Sequence, residues 1–183
     1  MTWCSDEARK KLLKQTIQQT RFRDANSHVM FNIARARLSM PEGFTEGKRW
    51  FASRELPNGL FVWEGHAHGT FMGEMIGIAG LINEYLLQSA GNKSRLFPCW
   101  PADQDAAFRR MRAQGGFLVS ASFKNGRVES ATIESVAHKQ LVLLSPWKTM
   151  QVNGRKADVS KDGLVVIDTK PGDVLVLSEG DRQ

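Results

Sequence analysis

The sequence predicts an α+β chain: a helical segment over residues 1–95, then a linker and a C-terminal antiparallel β-sandwich over 96–183. Three observations predict it. Up to Leu87, apolar residues recur at intervals of three and four, the spacing of one side of a helix. From Phe117 the period falls to two and tight-turn residues recur at short intervals, the pattern of antiparallel strands. Between the two regimes lies Leu96-Phe97-Pro98-Cys99-Trp100-Pro101, and proline interrupts both kinds of regular structure.

The helices follow in order. Ser5 is a suitable N-cap, and Asp6 and Glu7 in the next turn favour the positive end of a helix dipole. Leu12, Leu13, Ile17 and Phe22 continue at helical spacing. A second helix, Ser27 to Leu38, places Val29, Met30, Ile33, Ala34 and Leu38 on its apolar side, and Pro41 and Gly43 end it. Residues 41–70 then read as a long connection rich in glycine, aromatic and charged residues. Connections of that length without structure of their own are uncommon and often functional. A third helix, Thr70 to Ser89, carries Met72, Ile76, Ala79, Leu81, Ile82, Leu86 and Leu87 around most of its circumference. Gly73, Gly77 and Gly80 let neighbours come close, so this helix belongs inside a larger helical assembly.

The β pattern starts at Phe117. Phe117 to Phe123 alternates, Lys124-Asn125-Gly126 makes a tight turn, and Arg127 to Ser135 alternates back. Val128, Ser130, Thr132 and Glu134 fall on one side of that second strand; Glu129, Ala131, Ile133 and Ser135 fall on the other. Further strands fit Gln140–Ser145, Lys148–Val152, Leu164–Asp168 and Val174–Ser178. Turns fall at Asn153-Gly154, Lys161-Asp162-Gly163 and Lys170-Pro171-Gly172-Asp173.

Several classes of function find no support. The formal charge is +6, but Lys and Arg run from Arg9 to Arg182 and gather only at Arg109, Arg110 and Arg112. A nucleic-acid face needs concentrated charge, so this reads as a solvated surface and no nucleic-acid partner is expected. Cys4 and Cys99 have neither metal-ligand spacing nor a disulfide framework, and Cys99 reads as a small buried hydrophobe. Met1 to Lys14 lacks the apolar core of a signal peptide. The apolar stretch Met75–Leu87 is broken by Gly77, Gly80, Asn83 and Glu84, so no membrane partner is expected. Asn92-Lys93-Ser94 matches a glycosylation acceptor, a pattern too short to carry weight. No phosphate-cradling glycine loop and no Gly-x-Ser-x-Gly elbow occurs. No cofactor is implied.

Candidate chemistry gathers in the long connection and the helix after it. Trp63-Glu64-Gly65-His66-Ala67-His68-Gly69 packs a carboxylate, two imidazoles and an aromatic ring into seven residues, and Glu74 follows on the first turn of the helix. Polar groups beside aromatic rings suit a sugar, which has an apolar face to stack and hydroxyls to bind. Trp50, Phe51, Phe61 and Trp63 supply rings. Plainer readings stand beside this one. His66-x-His68 lacks a third ligand, so a structural pair outweighs a metal site and no metal is expected. Glu64 has Arg49 and Arg54 as possible ion-pair partners, and Glu74 near a helix start is favoured by the dipole alone.

Five segments in order carry a resemblance: Leu86-Leu87-Gln88-Ser89, Leu96–Pro101, Arg112-Ala113-Gln114-Gly115-Gly116-Phe117, Phe123-Lys124-Asn125-Gly126, and Ala131-Thr132-Ile133-Glu134-Ser135. Their series resembles the C-terminal part of glycoside hydrolase family 95, inverting α-L-fucosidase-like enzymes built on an (α/α)6 barrel followed by a β domain. In that family a barrel helix ends in a Leu-Leu-Gln-Ser-like segment and a leucine–proline linker follows. An Arg-x-Arg-Gly-Gly-Phe-like strand start is matched here with Gln114 in place of Arg. An aromatic-Lys-Asp-Gly turn is matched with Asn125 in place of Asp. The likeness covers residues 70–135 and reaches the flanks by element order alone. It implies that residues 1–95 are the last helices of an incomplete barrel.

The resemblance also implies roles. The family's general base is an Asp in a Phe-Gln-Ile-Asp-Gly-Asn-like segment just before that helix, and Phe71-Met72-Gly73-Glu74 is its nearest match, which gives Glu74 the catalytic base position. The Asn that follows in the family is replaced by Met75-Ile76. An inverting mechanism holds its acid and base carboxyl groups about 6.5–9.5 Å apart with water between, and Glu for Asp moves one of them by a methylene. The family's acid and its assisting asparagines lie upstream of the matched segment. Trp63, Glu64, His66 and His68 would line the sugar pocket.

The expectation is therefore the C-terminal fragment of a glycosidase whose intact form hydrolyses fucose-type or related glycans, while the isolated chain is inactive. Met1 would be an internal start, and the intact relatives secreted or periplasmic. The competing expectation is a non-catalytic carbohydrate-binding or structural β module. In either case the apolar helix exposes surface that monomers rarely leave bare, so self-association through the helical face is a possible partner contact.

Overall fold

The computed structural model describes residues 7–21, 24–57, 62–63 and 70–180, with the backbone alone at 62–63 and 70–75. The chain is α+β. Helices α1 (Glu7–Gln19), α2 (Ala25–Arg37), α3 (Glu42–Ala52) and α4 (Met72–Leu86) come first, with a short β1–β2 pair (Val62–Trp63, Thr70–Phe71) before α4. Ten strands follow: β3 (Leu87–Ala90), β4 (Lys93–Leu96), β5 (Ala106–Ala113), β6 (Phe117–Lys124), β7 (Arg127–Ser135), β8 (Gln140–Leu144), β9 (Met150–Val152), β10 (Arg155–Lys156), β11 (Leu164–Asp168) and β12 (Val174–Glu179). The chain divides into a helical unit, to Tyr85 with Cys99–Pro101, and a β unit formed by Leu86–Pro98 and the chain from Ala102 onward.

In the helical unit, α2 starts at Ala25, two residues before the start read from its apolar spacing, because Asp24 caps it. The Ser27 amide donates to Asp24 Oδ1 at 2.7 Å and the Asp24 amide donates to Ser27 Oγ at 3.1 Å, a reciprocal capping box. The bond from the Ser27 amide holds the Asp24 carboxyl below its usual range.

The expected structureless connection after Pro41 is corrected: α3 occupies Glu42–Ala52. Pro41 sits at its N-cap, where a missing N–H costs the helix nothing. Gly43, which read with Pro41 as the end of the preceding helix, is instead, like Gly47, a point of close approach. A Cβ on Gly43 would lie 2.5 Å from Tyr85 Oη, and one on Gly47 would lie 2.9 Å from Asn32 Nδ2 and Leu81 Cδ2. Two helical glycines cost about 2 kcal/mol together. Burying Phe44 and Phe51 in the same helix returns about 1.5–3 kcal/mol each, so packing overrides propensity.

Among the described residues, three apolar clusters hold the unit. Ile17, Leu38 and Met40 form one; Ala25, Val29 and Phe51 a second; Ala36, Phe44, Leu81 and Tyr85 a third. Cys99, half-buried, packs on the third and its thiol donates to Ala36 O at 3.4 Å. The Tyr85 hydroxyl, fully buried, donates to Met40 O at 3.0 Å, and burial raises its pKa well above the ordinary phenol value. Arg37 grips Glu84 with two bonds of 3.0 and 2.6 Å, tying α2 to α4 and raising the guanidinium's pKa further. Gly77 fits against Val29 as a small contact residue should, whereas a Cβ on Gly80 would meet nothing within 4 Å.

The helix expected to reach Ser89 stops at Leu86. Leu87–Ala90 forms β3, which pairs with β4 through the turn Gly91-Asn92, where φ is +59° and +60°. Positive φ at both central residues is the hairpin geometry that matches strand twist, so the turn draws Leu87–Ala90 out of the helix. Leu87–Ala90 and Lys93–Arg95, expected within the helical segment, are thus strand, and of the expected linker only Leu96 lies in β4. A second omission is β5, whose arginines had read only as surface.

The β unit contains a six-stranded antiparallel sheet, ordered β10-β9-β12-β7-β6-β5, and a four-stranded sheet, ordered β11-β8-β4-β3, in which β4 and β8 run parallel. Phe117, Val119, Ala121 and Phe123 bury one side of β6, with Leu175 and Leu177 from β12. Leu141, Leu143 and Val165 are the buried residues of β8 and β11. The turns at Asn125-Gly126 and Asn153-Gly154 both have positive φ at both residues.

Strict alternation in β7 is corrected by a register shift between Ser122 and Phe123. Ser122 pairs with Ser130 and Phe123 with Val128, so Glu129 is the extra residue of a bulge. Val128 therefore joins Ala131, Ile133 and Ser135 among the buried residues. The Trp147 indole N–H donates to Val128 O at 2.9 Å. A second shift, between Phe108 and Met111, leaves Arg110 at φ +52°, with its amide donating to Ser120 Oγ and its side chain to Glu134 at 2.7 Å.

Candidate functional site

The residues singled out for sugar chemistry lie where least is described. Glu64, His66 and His68 lie outside the described residues. Trp63 ends β1 and its backbone pairs with Thr70 of β2, while Val62 pairs with Phe71. That antiparallel register sets Trp63 directly opposite Thr70, the two residues that flank 64–69. Glu74 is the third residue of α4, so its Cα lies in the first helical turn. There a carboxylate is favoured by the orphan N–H groups of the helix start, whatever else it does. The side chains of Trp63 and Glu74 are outside the described set.

The described aromatic side chains that precede this segment, Trp50 and Phe51, sit at the end of α3. Trp50 stacks on His28 of α2, with ring centroids 4.2 Å apart and planes inclined by 21°. The Arg54 guanidinium lies 4.5 Å from the Trp50 centroid, a cation–π contact, and Phe51 meets the same ring edge-on at 5.0 Å. Burial, then the charges of Arg54 and Arg35, push the His28 imidazole down to about 4. His28 is therefore neutral at pH 7. Two of the rings offered as sugar platforms, Trp50 and Phe51, are thus engaged within the helical unit itself. His28 escaped the sequence reading because a histidine one residue before the apolar stripe of α2 carries no motif.

A polar group links α2 to α3. Arg35 Nη1 donates to Asn32 Oδ1 at 3.2 Å and also to Glu46 Oε2. Asn32 is fully buried and Arg35 nearly so. With Gly43 against Arg35 and Gly47 against Asn32, the arrangement explains the two glycines as well as any catalytic role would.

Among the described residues, the β unit includes two cavities of ligand size. One, about 390 Å³, is lined by Lys148, Thr149, Met150, Lys156, Ala157, Asp158 and Val159. The other, about 280 Å³, lies beside Arg95, Phe97 and Arg127. Phe97 has φ +45°, a conformation that costs a bulky residue about 1–3 kcal/mol. Among the described residues no group of three metal-ligating side chains occurs, and no helix is long and apolar enough to cross a membrane.

No protein-family model matches the chain, and no curated protein matches it significantly.

Proposed function

We propose that the chain corresponds to the C-terminal part of a glycoside hydrolase resembling family 95, which in intact form hydrolyses fucose-type or related glycans with inversion. The observation that carries the reading is the ordered series from Leu86 to Ser135: five family-like segments in the family's order within fifty residues. The α+β order, helices first and antiparallel-rich sheets after, is compatible with it. On this reading the helices belong to an (α/α)6 barrel and the two sheets form its β-sandwich. Glu74 takes the position of the base, and Trp63, Glu64, His66 and His68 line the sugar pocket. The exposed apolar residues Leu12, Met30 and Ile76 are then surface for barrel neighbours or for self-association.

Hydrolysis needs an acid carboxyl as well as a base. The matched segment does not include the family's acid, so the 183-residue chain binds its glycan without turning it over. The test is titration of the purified chain with a fucosylated oligosaccharide, followed by tryptophan fluorescence, beside an aryl α-L-fucoside assay. Saturable binding weakened by Trp63→Ala and Glu74→Gln, with no turnover, supports the reading. Absence of binding, or binding indifferent to both substitutions, overturns the site. Measurable hydrolysis overturns the inactivity.

A second reading, a non-catalytic carbohydrate-binding β module, is favoured by the presence of ligand-sized cavities in the β unit. It predicts glycan binding that survives Trp63→Ala and Glu74→Gln together.

A further inference from the structure

Of the seven asparagines in the chain, Asn92 alone has Ser or Thr two positions on with no proline between. Asn92-Lys93-Ser94 is thus the chain's one acceptor pattern for an N-linked glycan, and the hydrolase reading makes no use of it. A three-residue pattern recurs by chance in many proteins, so its place in the fold decides whether it can act.

Strands β3 and β4 form a hairpin whose turn residues, Gly91 and Asn92, have φ of +59° and +60°. Gly91, Asn92 and Lys93 are all exposed. The Asn92 backbone N–H donates to Gln114 Oε1 at 3.2 Å, and the Gln114 backbone N–H donates to Ser89 Oγ at 2.8 Å. The turn is therefore held through main-chain donors. Among the described residues the Asn92 side-chain amide has no hydrogen-bond partner. A group attached to its Nδ2 displaces no hydrogen bond of the turn.

Ser94 is placed oppositely. It lies in β4 facing Ser89 of β3, is 3% exposed, and its hydroxyl donates to Ser89 Oγ at 3.4 Å. The left-handed turn by itself favours asparagine at 92, but it asks for no hydroxyl at 94. An enzyme that reads Asn-x-Ser needs the amide and the hydroxyl together. In the closed hairpin one half of the pattern is in solvent and the other is buried, so both are reachable only before β3 and β4 pair.

We propose that Asn92 is an N-glycosylation site, modified while the β3–β4 hairpin is still open. The donor is an oligosaccharide carried on a polyprenyl diphosphate. Asn92 Nδ2 attacks the anomeric carbon of its first sugar. The new N–C bond forms as the bond from that carbon to the lipid diphosphate breaks; one amide proton passes to a base of the transferase, and the lipid diphosphate leaves. Once the hairpin closes, Ser94 is withdrawn and the glycan stands in solvent at the hairpin tip. The proposal stands apart from the hydrolase reading, because it uses none of the residues assigned to the sugar pocket.

The test is translation of the full chain behind a cleavable secretory leader in the presence of microsomes, with the imported, protease-protected product read by intact mass. The expected product is heavier by one glycan and loses it to peptide N-glycosidase, which turns the Asn92 amide into an acid. Asn92→Gln and Ser94→Ala are each imported without the added mass. A second arm tests the timing. The purified, folded chain offered to detergent-opened microsomes gains no glycan, whereas a synthetic peptide of residues 88–97, too short to hold a hairpin closed, gains one. Imported chain without a glycan, a glycan retained in Asn92→Gln, or modification of the folded chain as fast as of the peptide overturns the proposal.

Discussion

Replacing Gly43 by Ala is the sharpest test of how the helical unit is built. Helix propensity alone favours Ala over Gly by about 1 kcal/mol in a helix interior, and less in the first turn, where Gly43 sits. The structure reverses the sign. The new methyl would stand 2.5 Å from Tyr85 Oη and 2.9 Å from both Cβ and Cδ of Arg35. Tyr85 is fully buried and Arg35 nearly so, so neither can swing into solvent. Overpacking of this kind costs about 1–3 kcal/mol. If Tyr85 moves instead, its bond to Met40 O breaks and two buried polar atoms lose their partner, about 1–3 kcal/mol. Less the propensity gain, Gly43→Ala destabilises by about 0.5–2.5 kcal/mol. The matched control is Gly80→Ala in the middle of α4, where a Cβ meets nothing within 4 Å. There the propensity gain is unopposed and the change stabilises by about 0.5–1 kcal/mol. Urea unfolding followed at 222 nm reads the helices. With a slope of roughly 1 kcal/mol per molar, Gly43→Ala lowers the midpoint by about 0.5–2.5 M and Gly80→Ala raises it by less than about 1 M. Equal signs for the two substitutions would refute the packing argument.

Two further outcomes follow from named contacts. His28 has its pKa lowered from 6.5 to about 4, so between those values the unfolded chain binds the extra proton and the folded chain does not. Stability is therefore complete above about pH 6.5 and falls as pH drops toward 4; with the ring only half-buried the loss is about 1–2 kcal/mol. Urea midpoints at pH 7, 5.5 and 4.5 check it, and an identical decline in His28→Gln would show that another group is responsible. Gly126 has φ +76° in the β6–β7 turn, and Ala there costs about 1–2 kcal/mol. Thermal melting of Gly126→Ala, read by near-UV circular dichroism of the β unit's Trp147, should fall by several degrees, and an unchanged melting temperature rules the strain out.

The β unit was the more legible part. Phe117–Phe123, the Asn125-Gly126 turn and Leu164–Asp168 announce themselves, because strand alternation and positive-φ turns are local properties. β3, β4 and β5 did not. Leu87–Ala90 is too short for its period to be distinguished from the helix it continues, and the Phe108–Met111 shift breaks the alternation of β5 at the arginines. α3 was hidden by Pro41, Gly43 and Gly47, residues whose local preference opposes a helix interior and whose compensation lies in Asn32, Arg35, Leu81 and Tyr85. Of the site, the sequence singled out residue types at Trp63, Glu64, His66, His68 and Glu74; the described geometry adds only that β1 and β2 pair around residues 64–69 and that Glu74 opens α4. The Trp50–His28–Arg54 stack and the Arg95–Arg127 cavity had no sequence signal, since each joins side chains from separate elements.

By itself the sequence determined the α+β class, the passage from helices to strands, and most β turns, all of which depend on spacing within a few residues. It also carries the ordered series of segments from Leu86 to Ser135 on which the proposed glycosidase reading rests. Only the tertiary structure decided that Gly43 and Gly47 lie inside a helix, α3, that Leu87 begins a strand, and that Val128 turns inward. Each of those outcomes depends on atoms brought close from distant parts of the chain, and a local pattern carries no record of them.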